Sequence, residues 1–353
     1  MNHSYCEVGS HPDPQTGETG LMGVTTYQNI VLVSLVISSF LSPLGIVFNI
    51  INIIVYVKLG FNESTNIILA SLAVADTCIL LTLLGYTVNS NPLVVLSAPS
   101  FDILAAVGYL VLGWPNVLAT RIAGCLTTFL TFERFVCVAW PLKVKALVTK
   151  ATAVRFTLGL FVFSVAYSVP MYLANSIGLR FNPMSNQTSV GLIVAENSDV
   201  LEGVSRSINI SIEFLSFSLV ILFTGGLIQA FFRSTQWRNQ TASVTKNSNF
   251  SNRDRMLLRM VLLISFVFIG CSLPLVVADV VMLLVKDYNV KGKEQNLFIA
   301  TIYICFNLSS INSTVNMFIY LKMSSKFRNV FYQLFHRAKK GLPKGRTVKI
   351  VVS

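Results

Sequence analysis

Seven stretches of this sequence are each long and apolar enough to cross a lipid bilayer: about 29–57, 66–89, 102–138, 151–173, 207–232, 256–285 and 296–321. A hydrocarbon core needs roughly 20 such residues per helix. The runs are continuous rather than alternating, which is the pattern of helices and not of a barrel. Composition agrees: 53% of the 353 residues are hydrophobic and only 12% are charged, against about a quarter charged in a soluble domain. Pro43, Pro115, Pro170 and Pro274 lie inside or near the ends of runs, where membrane helices accept them as kinks. The expected fold class is an all-α membrane protein, a seven-helix transmembrane bundle.

Charge orients the chain. Most of the 27 Lys and Arg fall in segments that share a side with the carboxyl end, among them Lys143, Lys145, Lys150, Arg233, Arg238, Lys246 and the series from Lys322 to Lys349. That side is expected to be cytoplasmic and the amino end outside. The net charge of +12 then reflects topology and attraction to anionic membrane lipid, and no nucleic-acid partner is needed. Residues 1–28 read as a polar extracellular tail with no signal-peptide pattern, so the first apolar helix is expected to anchor the chain. Beyond the seventh run, Phe327, Val330, Phe331, Leu334 and Phe335 recur at helical spacing among Lys326, Arg328, Arg337, Lys339 and Lys340. This predicts an amphipathic eighth helix on the inner membrane surface.

Three function classes lose ground here. All three histidines lie outside the runs, so no histidine-ligated hydrolase site is expected in the membrane and an enzyme is not predicted. No charge ring, sensor helix or internal repeat supports a channel or transporter. Only Cys6 of the six cysteines lies in a polar segment, so no disulfide framework can be read.

Certain polar residues within the runs are more specific. Asn49 lies in the first run, and Asp76 closes Leu-Ala-Val-Ala-Asp in the second. Glu133-Arg134-Phe135 ends the third, with Pro141-Leu142 seven residues after Arg134. Phe268 precedes Cys271-Ser272-Leu273-Pro274 in the sixth, and Asn316-Met317-Phe318-Ile319-Tyr320 ends the seventh. In this order the motifs resemble those of the rhodopsin-like (class A) G protein-coupled receptors over about residues 29–338. The stretches around Glu133 and Tyr320 look similar to the invertebrate, especially molluscan, chemosensory and peptide-receptor-like branches. The implied domains are the tail (1–28), a seven-transmembrane receptor domain (29–321) and a cytoplasmic surface helix with tail (322–353).

The resemblance implies roles. Asp76, with Asn312, Ser313 and Asn316, is expected to hold a sodium ion or water cluster, and Asn49 to be a polar helix-packing residue. A charge at membrane depth is costly and therefore functional by default, although a structural Asp76 bonded to Asn49 is the plain alternative. Arg134 is expected to pair with Glu133 and with Asp254, twenty residues before Pro274. Release of that latch, which includes Phe135 and Tyr320, would swing the sixth helix outward to admit a heterotrimeric G protein. Phe268, Ser272 and Pro274 form the expected activation hinge.

Departures from the family pattern matter equally. Ser272 stands where the family has tryptophan and Met317 where it has proline, and the fifth run holds neither proline nor tyrosine. A receptor that binds ligand without signalling is therefore the rival reading. No cysteine occurs in 101–115 or 173–206, so the disulfide that normally staples the second outer loop to the third helix is absent. The loop is left free unless it packs by other means. No cysteine follows Lys322, so no palmitoyl anchor is expected.

Asn116 occupies the level where amine receptors carry aspartate, eighteen residues before Arg134, so an amine ligand is not expected. The last run has no lysine, which excludes retinal. Candidate pocket groups are Asn116, Arg121, Glu213, Asp279 and Tyr303. An intramembrane arginine requires a partner, so Arg121 is expected to pair with Glu213 or to bind a ligand anion. Acids outnumber bases outside, a hint of a cationic ligand such as a peptide. Asn2 and Asn186 match the glycan acceptor pattern on the outer side; Asn62, Asn239 and Asn249 match it inside and are expected to stay unmodified.

Overall fold

In a computed structural model of the chain, described for residues 20–97, 101–140, 144, 148–182, 187–241, 252–289 and 292–341, every apolar run is helical. Helix α1 spans Val24–Leu59, α2 Ser64–Asn89, α3 Asp102–Ala139, α4 Lys150–Ala174, α5 Ser198–Thr241, α6 Asn252–Leu284 and α7 Gln295–Met323. All seven are long and apolar enough to cross a membrane. Helix α8, Ser325–Gly341, follows α7 after Ser324. Seven is an odd number of passes, so the chain enters the bundle at one face and leaves it at the other, called here the amino face and the carboxyl face.

Polarity runs from inside to outside. Phe40, Val162, Leu222 and Leu283 are exposed on the bundle's surface, while Asn49, Asp76, Thr131, Ser265, Ser310 and Ser313 are buried within it. Lipid tails are as apolar as leucine, so helices associate through close packing and buried hydrogen bonds rather than by hiding oil from water. Gly45 shows this closeness: a Cβ there would run into Thr314 of α7 and Leu80 of α2. α1 packs on α2 and α7, and α3 touches α2, α4, α5 and α6. The core is built from Ile68, Leu69, Leu72, Leu126, Leu130, Met260 and Ile264, among others, of α2, α3 and α6.

Two local features were not anticipated. In α3, Val107–Gly113 is wound as a π-helix just ahead of Pro115. Proline offers no N–H to the Val111 carbonyl and crowds it, and the wider turn relieves both problems. The loop between α4 and α5 folds as an antiparallel hairpin, β1 Asn175–Asn182 paired with β2 Gln187–Val194. It does pack by other means. Ser189 Oγ donates to Asp102 Oδ2 at 2.9 Å, and Leu192 packs on Leu110, Trp114 and Met171.

The expected eighth helix is present as α8. Phe327 is fully buried, and Val330, Phe331 and Leu334 pack on the core beside it. Lys326 Nζ meets Glu63 Oε1 at 2.6 Å, joining α8 to the turn before α2.

Candidate functional site

A polar chain crosses the bundle near its middle. Arg121 of α3 pairs with Glu213 of α5, and its Nε donates to Asn209 Oδ1 one helical turn earlier on α5. The three residues are 7%, 4% and 7% exposed. Asp279 of α6 lies against the Glu213 carboxyl, so the chain reaches a third helix. Beneath it lies a cavity of about 30 Å³, lined by Thr120, Arg121, Glu213, Phe268, Ser272 and Asn312 among others. That volume holds roughly two waters. On its floor Phe268 packs against Gly124, where a Cβ would stand 3.3 Å from Phe268 Cζ. Below this contact, Thr131 and Ser265 hydroxyls share a 2.9 Å bond between α3 and α6.

Nearer the carboxyl face, Asp76 is completely buried. Its Oδ1 accepts from Ser313 Oγ and its Oδ2 from Asn316 Nδ2, both at 2.9 Å. Asn49 Nδ2 donates to the carbonyls of Gly45 (3.0 Å) and Ser313 (2.8 Å), tying α1 to α7 beside this cluster. Ser310, one turn before Ser313, carries a fully buried Oγ with no hydrogen-bond partner. A buried carboxylate beside the Ser313 hydroxyl, with the unpartnered Ser310 hydroxyl one turn away, is oxygen-donor chemistry that a hard cation such as sodium takes.

At the carboxyl face Glu133 and Arg134 are partners, with Arg134 Nη2 and Glu133 Oε1 3.5 Å apart. Both are held by the start of α2. Glu133 Oε1 accepts from Ser64 Oγ and, at 3.1 Å, from Thr65 Oγ1, and Arg134 Nη2 donates to Thr65 Oγ1. Met256, Leu257 and Met260 of α6 line a small pocket with Thr65 and Leu69 of α2, so α6 stands close to α2 here.

The sequence model of the 7 transmembrane receptor (rhodopsin family) matches residues 48–320, which runs from beside Asn49 to Tyr320. This chain belongs to the rhodopsin family of seven-transmembrane receptors. The family is one of receptors, not enzymes, and the chain is a multi-pass membrane protein. Similar curated relatives are the thyrotropin-releasing hormone receptors of Bos taurus, 22% identical over 91% of this chain and 82% of the relative, and of Gallus gallus, 24% identical over 88% and 80%. The RYamide receptor of Drosophila melanogaster is 21% identical over 80% of this chain and 59% of its own length.

Within this receptor the expected site residues divide into groups. Arg121 and Glu213 pair as anticipated, with Asp279 beside them, and Asp76, Ser313 and Asn316 converge. Asn312 instead lines the cavity under Arg121 and makes no hydrogen bond to Asp76 among the described contacts. Asn116 turns to α2, donating to Ile79 O at 3.2 Å and Thr82 Oγ1 at 2.8 Å; its amide joins helices and does not line the cavity. Tyr303 stacks edge-on against Phe306 and is not among the residues lining the cavity under Arg121. Tyr320 is buried against Tyr56 and Phe327, at ring distances of 5.4 and 5.5 Å, so it braces α8 and α1. Phe135 packs on Phe223 and Trp140. Pro274 lies inside α6 as expected. The side chain of Asp254 lies outside the described residues, as do Asn2 and Asn186.

Sequence reading missed Asn209, Ser64 and Thr65. Asn209 had a usable signal: it precedes Glu213 by one turn, so both face the same way from α5. Ser64 and Thr65 looked like the ordinary polar start of a helix.

Proposed function

We propose that this receptor is activated by a peptide at its amino face and passes the signal to heterotrimeric G proteins at its carboxyl face. The single observation behind the signalling half is the junction of Glu133 and Arg134 with Ser64 and Thr65. The pair is largely buried, with Arg134 Nε and Glu133 Oε2 left without hydrogen-bond partners, so desolvation offsets much of its attraction, which suits a contact that must open. Opening would release α3 from α2 beside Met256, Leu257 and Met260 of α6, letting α6 move outward about a hinge at Phe268, Ser272 and Pro274. Relatives named for thyrotropin-releasing hormone and RYamide support a peptide over a chemosensory small molecule. In this reading the chain sits in the plasma membrane with its amino end outside and its basic face in the cytoplasm.

Arg121, Glu213 and Asp279 form the floor that a ligand reaches, with Asn116 and Tyr303 acting through helix packing nearby. Asp76, Ser313 and Asn316 would hold a sodium ion in the resting state, supplying fixed positive charge between α2 and α7. Ser272 and Met317, which replace the family's tryptophan and proline, favour one rival: a receptor that binds without signalling.

The test is a peptide screen in cells carrying dissociation reporters for a panel of heterotrimeric G proteins. An active peptide is expected to dissociate at least one heterotrimer, and Arg134→Ala at equal surface abundance is expected to remove the response. A peptide that binds with no heterotrimer responding would establish the non-signalling rival instead.

A further inference from the structure

The second outer hairpin has no cysteine to staple it to α3, yet it is seated on the bundle. Glu202, in the first turns of α5, stands where three elements meet. Its Oε1 accepts from Asn175 Nδ2 at the start of β1, at 2.7 Å. Its Oε2 accepts from Tyr109 Oη in the π-helical stretch of α3, at 3.2 Å. Arg206, one turn later on α5, approaches the same carboxylate at 3.6 Å. Asn175 is 3% exposed, so its amide pays a desolvation cost that a charged acceptor offsets well. The base of the hairpin closes through Ala195 N to Ala174 O at 2.9 Å.

We infer that Glu202 is the positioning residue that clamps the outer hairpin to α3 and α5, a releasable counterpart of the missing covalent staple. A disulfide holds until it is reduced, whereas a carboxylate with two hydrogen bonds and a partly exposed arginine lets go and rebinds by thermal motion. The hairpin is therefore a cover that opens and closes on the bundle. Its meaning as a gate for ligand entry rests on the proposed orientation of the receptor; the clamp itself does not.

Neighbouring geometry supplies the test. A Cβ added at Gly191 of β2 would stand 3.0 Å from the Cβ of Asp102 at the start of α3. Disulfide-bonded residues have Cβ atoms about 3.5–4.5 Å apart, so the Asp102→Cys/Gly191→Cys pair needs only a slight outward shift to close. The change at Asp102 also removes its bond to Ser189, leaving Glu202 as the principal polar hold. The full-length pair variant in cells is treated with copper phenanthroline, and closure is followed by non-reducing peptide mapping. Closure is expected in the pair variant, and addition of Glu202→Ala is expected to slow it about tenfold. Tyr109→Phe should slow it less, and Arg206→Ala least. If Glu202→Ala fails to reach the surface, Glu202→Gln carries the same test, with a smaller slowing in the same direction. Equal closure rates with and without Glu202, or no closure in the pair variant, overturn the clamp. The assay uses neither ligand nor G protein, so its failure is distinct from failure of the receptor reading.

Discussion

Arg121 of α3 and Glu213 of α5 form an ion pair whose side chains are only 8% and 5% exposed. Removing one partner leaves the other as an uncompensated buried charge, at a cost of about 3–5 kcal/mol. Arg121→Leu is the harsher change, because Glu213 would then face Asp279 with no cation between the helices. The purified Arg121→Leu receptor is expected to lose much of its thermal stability. The double variant Arg121→Met/Glu213→Leu is expected to regain most of it, as measured by thermal unfolding in detergent. Equal loss in the double variant would mean that the pair is not the source of the effect.

Asp76 takes both of its hydrogen bonds from α7. Bound sodium would add a third tie between α2 and α7, and ligands of the folded state raise its stability in proportion to their concentration over the dissociation constant. Replacing choline chloride by sodium chloride at constant ionic strength is expected to raise the unfolding temperature of the receptor. The same exchange should leave Asp76→Asn unmoved, since the amide keeps an acceptor but loses the charge. A sodium effect that survives in Asp76→Asn would remove the ion from this site.

Phe327 fixes α8 to the bundle, fully buried between Tyr56 and Tyr320. Phe327→Ala is expected to cost about 3–5 kcal/mol locally. The readout is faster amide hydrogen exchange in α8 with little change in α3, and unchanged exchange in α8 would contradict this packing.

Asn2 and Asn186 are expected to carry glycans and Asn62 none, because only the outer side meets the glycosylating enzymes. Peptide mapping before and after enzymatic deglycosylation reads this directly. A glycan on Asn62 would invert the orientation.

The helices were legible because lipid imposes a plain requirement: a long apolar run must be helical, since its backbone has no water to bond. The same requirement made the buried charges conspicuous, and Arg121, Glu213 and Asp76 could be singled out before any contact was known. Partners were harder to see. Ser64 and Thr65 reach Glu133 across 68 residues or more of sequence, and nothing local in their own segment marks them. The hairpin is a different case. Ile177, Leu179 and Phe181 alternate with polar residues or glycine in β1, and Val190 and Leu192 do so with Ser189 and Gly191 within β2, so a period of two was present. The missing cysteine left the loop free unless it packed by other means, and that reading did not name the hairpin as the means. Asn116 was placed by its level along α3 alone; level does not fix direction, and its side chain turned to α2.

In the proposed mechanism Glu133 and Arg134, held by the start of α2, keep the receptor closed. Nucleotide exchange on purified heterotrimeric G proteins by the full chain in lipid nanodiscs tests it without any ligand. Glu133→Gln weakens the charge on which Arg134 and the two hydroxyls converge, and basal exchange is expected to rise about tenfold, the equivalent of some 1.4 kcal/mol. Adding Arg134→Ala to Glu133→Gln should return it to background. Basal exchange that stays flat in Glu133→Gln for every G protein class, with the variant folded and monodisperse, would contradict this mechanism.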